Sequence, residues 1–301
     1  MSLNFTGINI SRIQQHDALR QFVDLANEFW DDDPALFARA MGPPVAALAR
    51  GNFVKDSIDS ELEHMRSEPL YLCPSVRTDR YVILESPEIE LALQLIRPHR
   101  GTELASLAQH VVLATAGKTP VRIRRYWQSD PYPVAVLDPR KTLISKGEIS
   151  LASGQTATFF APSDVFQIVP QDETVLLLSL QMRRVERFLW KYDSATLAPA
   201  KLVTTGQEDQ RLITALWLVQ ICGDRSVVPN LWSAFRHPAH NVRWATVQAM
   251  IRIDPHEARS MLLEATTDVH PDIRTTAAAV LPQFELALTE YDRKQSIAAS
   301  P

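Results

Sequence analysis

Apolar residues recur three and four positions apart over residues 11–66, gather into short runs between turn residues over 80–187, and return to helical spacing beyond 205. In SRIQQHDALRQFVDLANEFW (11–30), Ile13, Leu19, Phe22, Val23, Leu25, Ala26 and Phe29 fall on one stripe of a helix, with Ser11 as its candidate cap. The string DDDP (31–34) ends that helix, because Pro34 disfavours helical geometry at Asp33. Asp33 is placed to cap the next helix, with Pro34 at its first position. Capping and the helix dipole account for the acidic trio without a metal. A further segment stops at Gly51, and another helix covers about 53–66.

The middle of the chain reads as strands: YVILES (81–86), IELALQLI (89–96), HVVLATA (110–116), VRIRRYW (121–127), VAVLD (134–138), TLISKGEISL (142–151), TATFFAP (156–162), VFQIV (165–169) and TVLLLSL (174–180). Each is rich in Val, Ile, Leu and Phe and bounded by Gly, Pro, Asp or Ser, the pattern of a sandwich or closed barrel. In VRIRRYW, alternation sends Arg122 and Arg124 to one face and Val121, Ile123 and Arg125 to the other. A solvated outer face explains this strand. The alternative is a patch of Arg122, Arg124 and Arg140, beside Tyr126 and Trp127, that grips an anion or an acidic partner.

The C-terminal part repeats. NVRWATVQAM (241–250) aligns with DIRTTAAAVL (272–281) so that Arg243 meets Arg274 at an offset of 31 residues, and DQRLITALWL (209–218) aligns Arg211 with Arg243 at an offset of 32. Trp190, Trp217, Trp232 and Trp244 are expected in packing contacts. The chain thereby divides into a helical lead-in over 1–74, a barrel over 75–190, repeats over 205–291 and a tail over 292–301 with little to bury.

Composition removes some function classes. With 46% hydrophobic residues, 22% charged residues and a net charge of −4, the chain lacks the concentrated positive charge of a nucleic-acid or anionic-membrane binder. No stretch of about 18 apolar residues is present and the N-terminus has no leader pattern, so a cytoplasmic protein is expected. Cys73 and Cys222 suggest neither a disulfide framework nor a zinc site and are expected as small buried side chains. No nucleophile motif, phosphate loop or dinucleotide fingerprint is visible.

The segments GTELASLAQHVVLATAG (101–117) and GEISLASGQTATFFAPSDVFQIV (147–169) resemble the two motif strands of the cupins, which are small jelly-roll barrels. The resemblance implies a metal held by two His separated by one residue, a Glu, and a later His. Counting back from Gly117 puts His110 at the Glu position, while Leu104 and Ser106, or Glu103 and Ala105, stand at the paired His positions, and Phe166 at the last. Leu104, Ser106, Ala105 and Phe166 cannot replace imidazole, so the iron or manganese site that needs such ligands is lost. The repeat pattern of Asp or Asn, a β-branched residue, Arg, two variable positions and a small residue resembles HEAT repeats, whose stacks present surfaces for macromolecular partners.

The fold class read from the sequence is therefore α+β: N-terminal helices, a cupin-like β-barrel and C-terminal α-helical HEAT-like repeats. The function read from it is a non-catalytic scaffold, adaptor or regulatory protein of a bacterial-type pathway. It has no cofactor, catalytic residue or metal, and binds a protein partner through the repeats; neither nucleic acid nor membrane is expected. Two alternatives stay open. One is an oxygenase resembling the thiol dioxygenases, with a remodelled metal site of His99, Glu103 and His110; the other is a sensor that binds a small molecule in a barrel pocket lined by His110, Trp127, Phe160 and Phe166. A homodimer is also expected if the apolar run TVLLLSL forms a sheet edge.

Overall fold

The computed structural model of the chain describes residues 3–5, 13–30, 33–68, 70, 76–77, 80–98, 103–128, 136–182 and 186–298. It divides into two compact units, residues 1–203 and 204–301. Ser11, Cys73, His99, Arg183 and Arg184 lie outside the described residues.

The first unit opens with helices α1 (Asp17–Phe29), α2 (Pro34–Ala40), α3 (Gly42–Arg50) and α4 (Phe53–Ser67). Asp33 caps α2, its carboxylate accepting from the backbone N–H of Ala35 at 2.8 Å and of Leu36 at 3.2 Å. That satisfies two of the donors a helix start leaves over, and Pro34 has no donor to satisfy. Leu19, Phe22, Val23 and Ala26 bury the inner stripe of α1, while Leu25 and Phe29 remain on its exposed flank.

Twelve described strands follow: β1 (Val76–Arg77), β2 (Arg80–Glu85), β3 (Ile89–Ile96), β4 (Ala105–Ser106), β5 (Val111–Thr115), β6 (Val121–Trp127), β7 (Ile144–Leu151), β8 (Thr156–Phe159), β9 (Asp164–Ile168), β10 (Val175–Met182), β11 (Phe188–Tyr192) and β12 (Pro199–Thr204). They form two antiparallel sheets, in the orders β1-β2-β3-β10-β5-β8 and β12-β11-β4-β9-β6-β7. Within these, β3 to β10 pair as 3-10-5-8 and 4-9-6-7, the interlocked arrangement of a jelly roll. Residues 136–138 of the expected strand VAVLD are not in a strand. The structure adds β11 and β12, two strands absent from the sequence reading. FLWKY is short and follows an arginine-rich segment, yet its alternate residues Phe188, Trp190 and Tyr192 are all buried.

The first sheet is covered on both faces. Val112, Ala114, Leu91, Leu93, Leu178 and Leu180 pack in one cluster with Leu19, Phe22, Phe37, Val45 and Leu48 of the helices. Val111, Leu113 and Leu177 turn the other way, against Val121, Ile123, Ile168 and Phe159 in the barrel interior. This double burial is why IELALQLI, VVLAT and VLLLSL read as nearly continuous apolar runs. It also removes the argument for a dimer through TVLLLSL, because β10 is central, bonded to β3 and β5. β6 alternates from Val121 to Arg124, Val121 and Ile123 buried and Arg122 and Arg124 exposed, and Arg125, expected on the face of Val121 and Ile123, is exposed.

Gly154 shows how closely the helical layer fits. It turns between β7 and β8 at φ +71°, and a Cβ there would lie 2.0 Å from Cγ of Arg50 at the end of α3. Only glycine combines that backbone with that space.

The second unit holds α5 (Gln207–Cys222), a 3-10 turn (Arg225–Val227), α6 (Val228–Ala234), α7 (His240–Ile253), α8 (Pro255–Ala265) and α9 (Pro271–Ala298). The repeated sequence lies on α5, α7 and α9. Arg243 is buried and holds both oxygens of Asp268, Nε to Oδ2 at 2.8 Å and a terminal nitrogen to Oδ1 at 2.6 Å; it also donates to the carbonyls of His237 and Pro238. Arg274 donates to the carbonyls of Asp268 and Val269, the same positions relative to itself. In α7 and α9 the repeat arginine thus ties the helix to the loop before it, and Arg243 ties that loop to the next one. Thr214 and Thr246 share a second device, each hydroxyl donating to the carbonyl four residues back. Beyond residue 291 the described chain stays helical to Ala298. Cys222, expected buried, is exposed at the end of α5.

Candidate functional site

The barrel residues singled out from sequence do not converge. His110 precedes β5, where Val111 and Leu113 face the barrel interior and Val112 and Ala114 face the helices; alternation gives His110 the helix side. Its ring meets Phe160 edge to face at 5.8 Å, and Phe160 lies under the Arg39 guanidinium at 5.0 Å. Nδ1 accepts the Ala161 N–H at 3.0 Å, so this nitrogen carries no proton. Burial pushes the imidazole below its ordinary pKa, against the opposing pull of Asp33 and Asp164.

Glu103, by contrast, is beside the other sheet, paired with Lys191. Of the alternative metal set His99, Glu103 and His110, Glu103 precedes β4 of one sheet and His110 precedes β5 of the other, and His99 lies outside the described residues. Among the described residues, no group of three or more His, Cys, Asp or Glu could hold a metal ion. Ser106, at a motif His position, accepts the Trp190 backbone N–H at 2.8 Å, and Leu104 packs with Trp190 and Tyr126.

The pocket candidates His110, Trp127, Phe160 and Phe166 are distributed over the two sheets. Phe166 fills the barrel interior, its ring 4.4 Å from that of Phe159. Trp127 shares the face of β6 with Val121 and Ile123 but is half-buried beneath the Lys146 ammonium, 4.8 Å from the ring centre. His110 and Phe160 are on the far side of the other sheet, so the four residues line two separate environments. The sequence pattern had no means of showing this, because alternation fixes which residues share a face and leaves open which face is inside.

The arginines are matched to acids. Arg122 and Arg124 flank Glu148 at 3.8 and 3.4 Å on an exposed face, and Arg140 closes on Asp138 of its own loop at 2.9 Å, holding that carboxyl down at about 2. Arg140 thus turns to Asp138, whereas Arg122 and Arg124 share Glu148.

A groove of about 370 Å³ lies instead in the second unit. Ile213 and Trp217 of α5, His240, Asn241, Trp244 and Gln248 of α7, and Asp272 and Thr276 of α9 are among its walls, so equivalent helices of three successive repeats build it. Trp217 is 56% exposed, and Leu218 and Ile221 beside it are exposed as well. At one end the rings of His240 and His270 stack at 3.8 Å, nearly parallel. Burial, the neighbouring His270 and Arg243 push His240 down to about 4, so it is neutral at physiological pH. Sequence reading assigned Trp217 to packing. The signal that would have found it is the composition of α5, apolar around its whole circumference (Leu212, Ile213, Leu216, Trp217, Leu218, Val219, Ile221), which a short stack cannot cover.

Residues 201–282 match the family model of HEAT repeats. No curated protein matches the chain in sequence. Among solved structures, the chain is similar to a cupin domain from Bordetella pertussis Tohama I, at 12% identity over 35% of this chain and 91% of that one, with a TM-score of 0.24. It is similar to hydroquinone 1,2-dioxygenase from Sphingomonas sp. TTNP3 with 4-hydroxybenzoate bound, at 12% identity, 37% and 70% coverage and a TM-score of 0.28. A third is an uncharacterised protein with a double-stranded β-helix domain from Klebsiella pneumoniae, at 10% identity, 40% and 92% coverage and a TM-score of 0.27. Taking the barrel from its strand order and the repeats from the family match, the chain is a cupin-like jelly roll followed by HEAT repeats.

Proposed function

We propose that this chain is a non-catalytic scaffold or adaptor whose repeat unit docks a protein partner, with the barrel as a packed structural body. The observation that carries the reading is the open groove of the repeats, where Trp217 and Trp244 line a surface built by three helices in succession. Stacked repeats of this kind present extended surfaces for macromolecules. The barrel supports the same reading from the other side. Its interior is packed with Val111, Leu113, Ile123, Phe159, Ile168 and Leu177, and Glu103 and His110 lie beside different sheets.

The test is photo-cross-linking in the source cells with a benzophenone amino acid at position 217 and, as a control, at Leu62, an equally exposed site on α4 (57%). One discrete protein species captured at 217 and absent at 62 is the expected result. Capture of the same species at both positions, or of none at 217, would remove the adaptor reading.

A further inference from the structure

Resting on that reading, we infer that the repeat groove takes an extended peptide segment bearing a lysine or arginine, its alkyl stem and cation against Trp217 and Trp244 and its charge answered by Asp272. The dimensions come first. About 370 Å³ spread over three helices accommodates a strand of chain with one or two side chains.

The wall chemistry selects among strands. Asn241, Gln248 and Thr276 each carry a donor and an acceptor without formal charge, the groups that pair with the N–H and C=O of an extended backbone. Asp272 is the one formal charge among the wall residues at neutral pH, and its side chain is largely exposed. Neither repeat arginine is among the wall residues. Arg243 is held by Asp268 and the carbonyls of His237 and Pro238, and Arg274 donates through one terminal nitrogen to the carbonyls of Asp268 and Val269. An acidic segment would meet no cation among the wall residues and the negative charge of Asp272. A purely apolar segment would bring no cation to Asp272. Indole faces attract a cation and cover the methylenes that carry it, so lysine or arginine satisfies every wall group together.

The test uses the full chain and three fluorescein-labelled peptides of about ten residues, identical Gly/Ser backbones carrying two lysines, two glutamates or two leucines. Fluorescence anisotropy at low and high NaCl reads the affinity. The lysine peptide is expected to bind at least about tenfold tighter than the other two, a preference of the size that aromatic and ionic contacts supply together. Trp217→Ala and Trp244→Ala each weaken it by roughly tenfold, and Asp272→Asn by about threefold with a shallower salt dependence. Circular dichroism confirms that the variants fold, and Asp272→Asn, an exposed isosteric change, keeps the test valid if a tryptophan variant does not.

Tighter binding of the leucine peptide, tighter binding of the glutamate peptide, or no binding of the lysine peptide at millimolar concentration each overturns the inference. So does a dimer in sedimentation that Trp217→Ala dissociates, since a second copy would then fill the groove. Cross-linking at position 217 that persists while the lysine preference fails would overturn only the charge inference and leave the adaptor reading standing.

Discussion

Leu189–Trp190 in the barrel unit and Leu216–Trp217 in the repeat unit are the same dipeptide in two opposite circumstances. Trp190 is 0% exposed, held among Leu104, Tyr126, Leu143, Val165 and Tyr192, whereas Trp217 is 56% exposed on the wall of a groove. A closed sheet pair gives each apolar side chain a facing sheet or a covering loop. A linear stack covers only the faces between neighbouring helices, so an all-round apolar helix such as α5 keeps one face open. The difference teaches that the amount of apolar residue along a segment says less about burial than the number of sides from which the architecture can reach it.

The largest effect that would sharpen this contrast is on stability. Trp190→Ala should cost about 3–5 kcal/mol, the range for emptying a buried indole site, while Trp217→Ala should change stability by less than about 1 kcal/mol. Urea unfolding followed by far-ultraviolet circular dichroism measures both. A large loss at Trp217 would mean that its ring supports the fold and would break the comparison.

An intermediate effect concerns pH. The unfolded chain protonates His240 near its ordinary value of 6.5, while the folded unit does so only at about 4. Between those values the unfolded state binds more protons, so stability is full above about 6.5, falls as pH drops toward 4, and is level below. His110 acts in the same direction, because a proton on Nδ1 would confront the Ala161 N–H it now accepts from. For the half-buried His240 the loss should be about 1–2 kcal/mol once solvent screening is allowed for. Denaturation at pH 7 and 4.5 should show it, and His240→Gln should reduce it; an unchanged pH dependence in that variant would locate the effect elsewhere.

The smallest effect is expected on the outer face of β6. Arg124→Ala separates an exposed pair with Glu148 at 3.4 Å and should shift stability by less than about 0.5 kcal/mol. A loss several times larger would show that this face is not simply solvated.

Much of this architecture follows from local chemistry that a sequence displays. The N-cap of α2 is legible because Asp33 needs only the next three residues to act. The strands β3 and β6 are legible because runs of apolar residues bounded by turn formers have few other uses, and the repeats because Arg243 and Arg274 serve the same loop positions. The strands β11 and β12 were less visible, being short and given their inward side chains by contacts with distant residues.

What the tertiary structure alone decided is which faces meet. The period of two along β5 assigns His110 to one side of a sheet, but only the packing of α1 to α4 makes that side the helix interface and separates His110 from Glu103. The period of the repeats gives the register of Arg243, but only the stacking of α5, α7 and α9 opens the groove and leaves Asp272 as its charge. Periodicity is a property of neighbours along the chain, whereas a site is assembled from residues whose proximity is set by folding.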